Sequence, residues 1–120
     1  MEEINYKVRV LIVEDEPLIA ENLAMYLNNN DYEVAGIAYD FEEGMLSLKE
    51  GKPDIVLLDI NLEGKQDGID LGKYIHEKLG IPFVFLSSYS DKNTLDRAKQ
   101  VQPSGYLVKP FHEKTLLTTL

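Results

Sequence analysis

Hydrophobic and polar positions alternate between two rhythms along the chain. Residues 8–13, rich in β-branched side chains, read as a strand whose carboxyl end is crowded with Glu14, Asp15 and Glu16. Pro17 suits a helix's first turn, and Ile19, Leu23, Tyr26 and Leu27 recur at helical spacing until Asn28-Asn29-Asn30-Asp31 stops them. Residues 33–38 form a second expected strand. Asp40 followed by Glu43 fits a capping box, opening a second helix that closes at Gly51-Lys52-Pro53. Ile55-Val56-Leu57-Leu58 is continuous aliphatic, as a strand buried on both faces is, and it stops abruptly at Asp59. A polar loop leads into a helix carrying Leu71, Ile75 and Leu79 on one face, which Gly80 and Pro82 end. Phe83-Val84-Phe85-Leu86 predicts a fourth strand that delivers Ser87 and Ser88 to its end, and Asp91 is expected to cap a helix running to about Val101. Residues 104–108 make a fifth strand ending in Lys109-Pro110-Phe111. The last helix has Leu116, Leu117 and Leu120 available to face a sheet.

Five strands alternating with helices predict an α/β fold, a flavodoxin-like doubly wound five-stranded parallel sheet with helices on both faces and right-handed crossovers. The expected strand order is 2-1-3-4-5, which makes strands one and three neighbours. Ligands bind such sheets in the crevice at the strands' carboxyl ends, so Asp59 is a candidate functional group and Asn61, two residues on, a candidate to share its site. With 120 residues and 44% hydrophobic content the chain is long enough for one core and too short for two. A single domain over residues 1–120 is expected, its final helix truncated at the C-terminus.

A formal net charge of −9 argues against nucleic acid or an anionic membrane as partner, while favouring a cation. The chain has no cysteine, which excludes disulfides and thiolate metal sites and suits a reducing cytoplasm. The acidic N-terminus is unlike a secretory signal, and no apolar run reaches membrane-spanning length.

At the strands' carboxyl ends this fold would gather Glu14, Asp15, Asp59, Ser87 and Lys109. Three carboxylates so close raise at least one pKa unless a hard cation neutralises them, and oxygen ligands suit Mg2+. Such an ion, with Lys109 and the Ser87 hydroxyl, stabilises negative oxygens as phosphoryl transfer requires, and Asp59 can supply the nucleophile that forms an aspartyl phosphate.

In the order Val13-Glu14-Asp15, Leu58-Asp59 with Asn61, Asp67-Gly68, Ser87, and Tyr106 with Lys109-Pro110-Phe111, the chain resembles a response-regulator receiver domain, the phosphoacceptor module of two-component signalling. The resemblance covers essentially its whole length. It implies that Asp59 is phosphorylated by a sensor histidine kinase or phosphotransfer protein. It further implies Asp15 as a direct Mg2+ ligand, Glu14 as a ligand through water and Asn61 through its backbone carbonyl. Lys109 and Ser87 would contact phosphoryl oxygens, and the domain would catalyse only its own phosphorylation and dephosphorylation. By the same resemblance Ser87 and Tyr106 form a switch that remodels the face of helix four, strand five and helix five, a homodimer or partner surface. The Lys109-Pro110 bond should be cis, an uncommon state. Two positions depart from the family pattern. Glu14 stands where aspartate is commoner, and the loop between Asp59 and Asp67 is one residue longer than usual, which leaves the path of residues 62–66 open. His76 and His112 read as surface residues.

Two other classes share parts of this pattern. A haloacid-dehalogenase-like phosphatase also uses an aspartyl nucleophile and magnesium, but wants a second aspartate where Asn61 stands. A flavodoxin-like FMN-binding module wants a phosphate cradle after strand one, where Glu14-Asp15-Glu16-Pro17 would repel phosphate.

Overall fold

The computed structural model describes residues 6–62, 66–88 and 92–120. Strands β1 (Arg9–Val13), β2 (Glu33–Ala38), β3 (Ile55–Asp59), β4 (Phe83–Ser87) and β5 (Gly105–Val108) form one parallel sheet in the order β2-β1-β3-β4-β5. Helices α1 (Pro17–Asn28), α2 (Phe41–Gly51), α3 (Gly68–Tyr74) and α4 (Lys92–Gln100) lie in the four crossovers, and α5 (Glu113–Thr119) follows β5. The expected fold and strand order are those observed.

Successive strand side chains point to opposite faces, and here both faces are covered. Val10, Ile12, Leu57, Val84, Leu86 and Leu107 pack with Ala20, Leu23 and Leu27 of α1 and Leu116 of α5. Leu11, Val13, Val56, Leu58, Phe83 and Phe85 pack on the other side with Leu48, Leu71 and Ala98 from α2, α3 and α4. Each fully buried leucine, isoleucine or phenylalanine contributes about 1.5–3 kcal/mol relative to exposure, so the three central strands anchor the sheet. Phe83 and Phe85 meet edge to face with ring centroids 5.4 Å apart, filling the space under α3.

Three local features differ from the expected pattern. The capping box at Asp40 is half made: Asp40 Oδ1 accepts from Glu43 N–H at 2.8 Å, but Glu43 Oε1 accepts from Tyr39 N–H at 3.2 Å instead of from Asp40. The full box lies at Asp67, whose Oδ1 accepts from the backbone of Ile69 and Asp70 while Asp70 Oδ2 accepts from Asp67 N–H. After Tyr74 the third helix continues as a π-helical segment, Ile75–Leu79, before Gly80 closes it at φ 66°. The wider turn rotates Leu79 off the apolar face, leaving it 38% exposed while Leu71 and Ile75 are buried. The expected cap at Asp91 lies outside the described residues, as do positions 63–65 of the lengthened loop.

Candidate functional site

Backbone pairing brings the site residues to one edge. Glu14 N–H donates to Ala38 O at 2.9 Å, Ile60 N–H to Leu86 O at 3.1 Å, and Lys109 N–H to Ser87 O at 2.8 Å, tying the end of β1 to β2 and the ends of β3, β4 and β5 to one another, while Val13 of β1 pairs with Leu58 of β3. Glu14, Asp15 and Asp59 each place one carboxylate oxygen within 4.8 Å of the others. Glu14 and Asp59 are buried, whereas Asp15 is half-buried at the rim. Lys109 crosses to them from the end of β5, its Nζ 2.6 Å from Glu14 Oε1 and 3.4 Å from Asp59 Oδ2. The Lys109-Pro110 bond is cis, as expected.

The remaining oxygens are partly held by backbone donors. Asn61 N–H donates to Asp59 Oδ1 at 3.1 Å and Glu16 N–H to Glu14 Oε2 at 3.1 Å. Glu14 Oε1, by contrast, is buried without an aligned hydrogen-bond donor among the described residues, despite the nearby ammonium. Burial first, and then the Glu14 carboxylate beside it, push the Asp59 pKa from 3.8 up to about 8, against the opposing pull of Lys109 and Asn61 N–H. Burial works against the Lys109 ammonium too, but Glu14 and Asp59 outweigh it and hold its pKa above 10.5. Among the described residues the three acids therefore carry more negative charge than Lys109 balances. Three hard oxygen donors converging within 4.8 Å fit a divalent cation.

Ser87 is buried at the end of β4, and its hydroxyl donates to Ser88 O at 2.7 Å rather than reaching toward Asp59. Tyr106 is 37% exposed on β5, its ring centroid 6.1 Å from that of Phe85. Asn61 itself is exposed, and only its N–H is seen to engage the site.

Gly68 was legible in the sequence as a helix start but not in its larger part. A Cβ there would lie 1.8 Å from the carbonyl oxygen of Asp59, so α3 packs its first turn directly on the backbone of the central acid. Asp67, capping that turn, also lies 3.6 Å from Arg97 of α4. The spacing of residues carried no sign of that ion pair, because it joins two elements through the tertiary fold.

Comparison with known proteins bears on this arrangement. The family profile of the response regulator receiver domain matches residues 10–120. The transcriptional regulatory protein PdtaR of Mycobacterium tuberculosis is 38% identical over 112 residues, a match covering 93% of this chain and 54% of that protein. The chain thus spans about half the length of this curated relative. The signal receiver domain of a modulated diguanylate cyclase from Desulfovibrio desulfuricans superposes with a TM-score of 0.89 at 37% identity, covering 95% of this chain and 90% of that one. Chemotaxis protein CheY4 of Vibrio cholerae does so with a TM-score of 0.84 at 26% identity, over 95% and 96%. Neither a phosphatase nor an FMN module finds support in these matches. Among the described residues no helix is long and apolar enough to cross a membrane.

Proposed function

The chain belongs to the response-regulator receiver domains of two-component signalling, and from that premise we propose that Asp59 accepts a phosphoryl group from a sensor histidine kinase or phosphotransfer protein. The observation that carries this reading is the convergence of Glu14, Asp15 and Asp59 within 4.8 Å, with Lys109 bridging two of them. Asp15 and Asp59, with Glu14 and the Asn61 carbonyl, are the groups we assign to Mg2+, whose charge when bound would neutralise the acids and the phosphoryl oxygens. Asp59 attacks phosphorus through a carboxylate oxygen, its deprotonated form favoured once the cluster is neutralised. We assign Lys109 to a phosphoryl oxygen, a role supported by its ammonium lying 3.4 Å from Asp59 Oδ2.

Ser87 supplies the second contact by rotating its hydroxyl from Ser88 O to a phosphoryl oxygen, a stronger charged acceptor. That movement vacates space into which the part-exposed Tyr106 ring turns, altering the α4-β5-α5 surface on which a second copy or another partner docks. We read residues 1–120 as one receiver unit that acts on no external substrate and catalyses only its own phosphorylation and dephosphorylation. A cytoplasmic setting agrees with the absence of cysteine.

The test is phosphate incorporation from acetyl phosphate, followed by intact mass. Wild type should gain one phosphoryl group in the presence of Mg2+ and lose the capacity in Asp59→Asn. Incorporation that persists unchanged in that variant, or in excess chelator, sinks the assignment.

A further inference from the structure

Asp67 divides its two carboxylate oxygens between two elements. Oδ1 accepts from the N–H groups of Ile69 and Asp70 inside α3, while Oδ2 faces Arg97 of α4 at 3.6 Å. Both ends of that ion pair stand on anchored backbone. Ala98, the next residue of α4, is buried in the core cluster that also holds Ile69 and Leu71 of α3, and Asp67 N–H donates in turn to Asp70 Oδ2 at 2.9 Å. One residue further, Gly68 N–H donates to Ile60 O at 3.0 Å, and its Cα lies so close to the Asp59 carbonyl that an added Cβ would stand 1.8 Å from that oxygen. In a close-packed arrangement of this kind the first turn of α3 cannot shift without moving the backbone of Asp59 and Ile60. That backbone leads directly into Asn61, whose N–H holds Asp59 Oδ1 at 3.1 Å.

We propose that Arg97 is a positioning residue for the acid site: by holding Asp67 it keeps the first turn of α3, and with it the backbone of residues 59–61, in the geometry that receives Mg2+. The inference rests on the assignment of Mg2+ to Asp59 and the Asn61 carbonyl. Arg97 acts through Asp67 and Gly68, not by touching the ion or the reacting atoms. Its side chain is 55% exposed and that of Asp67 28%, so water screens the pair and limits what it contributes. A pair of that exposure accounts for about twofold to fivefold in an equilibrium constant. Through space alone Arg97 would act the other way, because a fixed cation opposes the binding of a second cation to the same acids. Loss of the pair and loss of the charge therefore differ in sign. Helix α4 also belongs to the surface assigned to partner docking, so the pair gives that surface a line to the acids that runs through neither Ser87 nor Tyr106.

The experiment titrates Mg2+ into the protein and reads its dissociation constant by calorimetry. Arg97→Gln should weaken binding about twofold to fivefold, and Arg97→Lys, which keeps a cation within reach of Asp67, should restore it to within about twofold of wild type. Asp67→Asn retains a cap oxygen for Ile69 and Asp70 N–H but offers Arg97 no charge, so in that background Arg97→Gln should leave the affinity unchanged or raise it. A second readout needs no metal: in the metal-free protein the amide resonances of Gly68 and Asn61 should move in Arg97→Gln and return in Arg97→Lys. Wild-type or tighter affinity in Arg97→Gln, an equal loss in the Asp67→Asn background, or amide resonances of Gly68 and Asn61 that stay in place overturns the inference while leaving the Mg2+ assignment intact. Wild-type protein that binds no Mg2+ overturns the assignment and the inference together.

Discussion

Replacing Asp59 by asparagine should make the metal-free protein more stable, although the substitution removes the group around which the site is arranged. The geometry sets the size of the effect. With an effective dielectric near 20, an ionised Asp59 is repelled by at least about 3.5 kcal/mol by each of Glu14 and Asp15, which lie within 4.8 Å. Lys109 at 3.4 Å returns about 5 kcal/mol, leaving a net cost of at least about 2 kcal/mol before the loss of hydration is counted. Asparagine keeps an oxygen for Asn61 N–H and nearly the same volume, so the relief should appear as a melting temperature about 6–10 °C higher in chelator. The sign with pH follows from the raised folded-state pKa. Asp59 contributes stability fully below about pH 4, and that contribution is lost as pH rises through about 8, so the advantage of the asparagine variant should grow across that window. Magnesium at ten times its dissociation constant should add about 1.4 kcal/mol to wild type and far less to the variant. Calorimetry at pH 5, 7 and 8.5, with and without Mg2+, makes the comparison. An asparagine variant that melts at or below wild type in chelator, or gains as much from magnesium, refutes the electrostatic reasoning.

Gly68→Ala should destabilise the fold by about 2–3 kcal/mol in urea unfolding, because the new methyl would have to displace either the first turn of α3 or the carbonyl of Asp59; a loss under half that would show that the turn relaxes easily. Asp67→Ala removes the cap on Ile69 and Asp70 N–H and should cost about 1–2 kcal/mol, whereas Arg97→Ala breaks only a half-exposed ion pair and should cost under about 1 kcal/mol. Ser87→Ala should still be phosphorylated on Asp59 yet respond weakly to beryllofluoride in sedimentation. A full wild-type response would remove Ser87 from the switch.

The sheet was legible because its strands obey one rule: a strand buried on both faces has no polar alternation, so Ile55-Val56-Leu57-Leu58 and Phe83-Val84-Phe85-Leu86 stand out and their ends fall on Asp59 and Ser87. The acid cluster followed from the fold, since a parallel sheet puts every strand's carboxyl end on one edge. What escaped the sequence depends on fractions of a turn. Leu79 sits at helical spacing from Ile75 and Leu71, and only the π-helical segment moves it outward. Glu43 sits three residues from Asp40, yet its carboxylate caps Tyr39. Neither spacing changes; what changes is a local path fixed by packing.

Glu14 shows how one methylene beyond aspartate bears on the charge balance of the site. Its Oε2 is satisfied by Glu16 N–H while Oε1 lies 2.6 Å from the Lys109 ammonium, so the longer side chain uses its reach to pair with the lysine. Lys109 is consequently divided between two carboxylates, and it is free to serve a third, anionic partner only as the acids are neutralised. A cation bound by the acids and a phosphoryl group bound by Lys109 must then assist one another, and by linkage the assistance is equal in both directions. Beryllofluoride should tighten magnesium binding by the same factor as magnesium tightens beryllofluoride. In Glu14→Gln, which cannot hold the ammonium as an ion pair, that factor should shrink, because Lys109 is already released. Titration calorimetry of both ligands in both orders reads the factor directly, and a coupling as large in Glu14→Gln as in wild type would show that Lys109 was never restrained by Glu14.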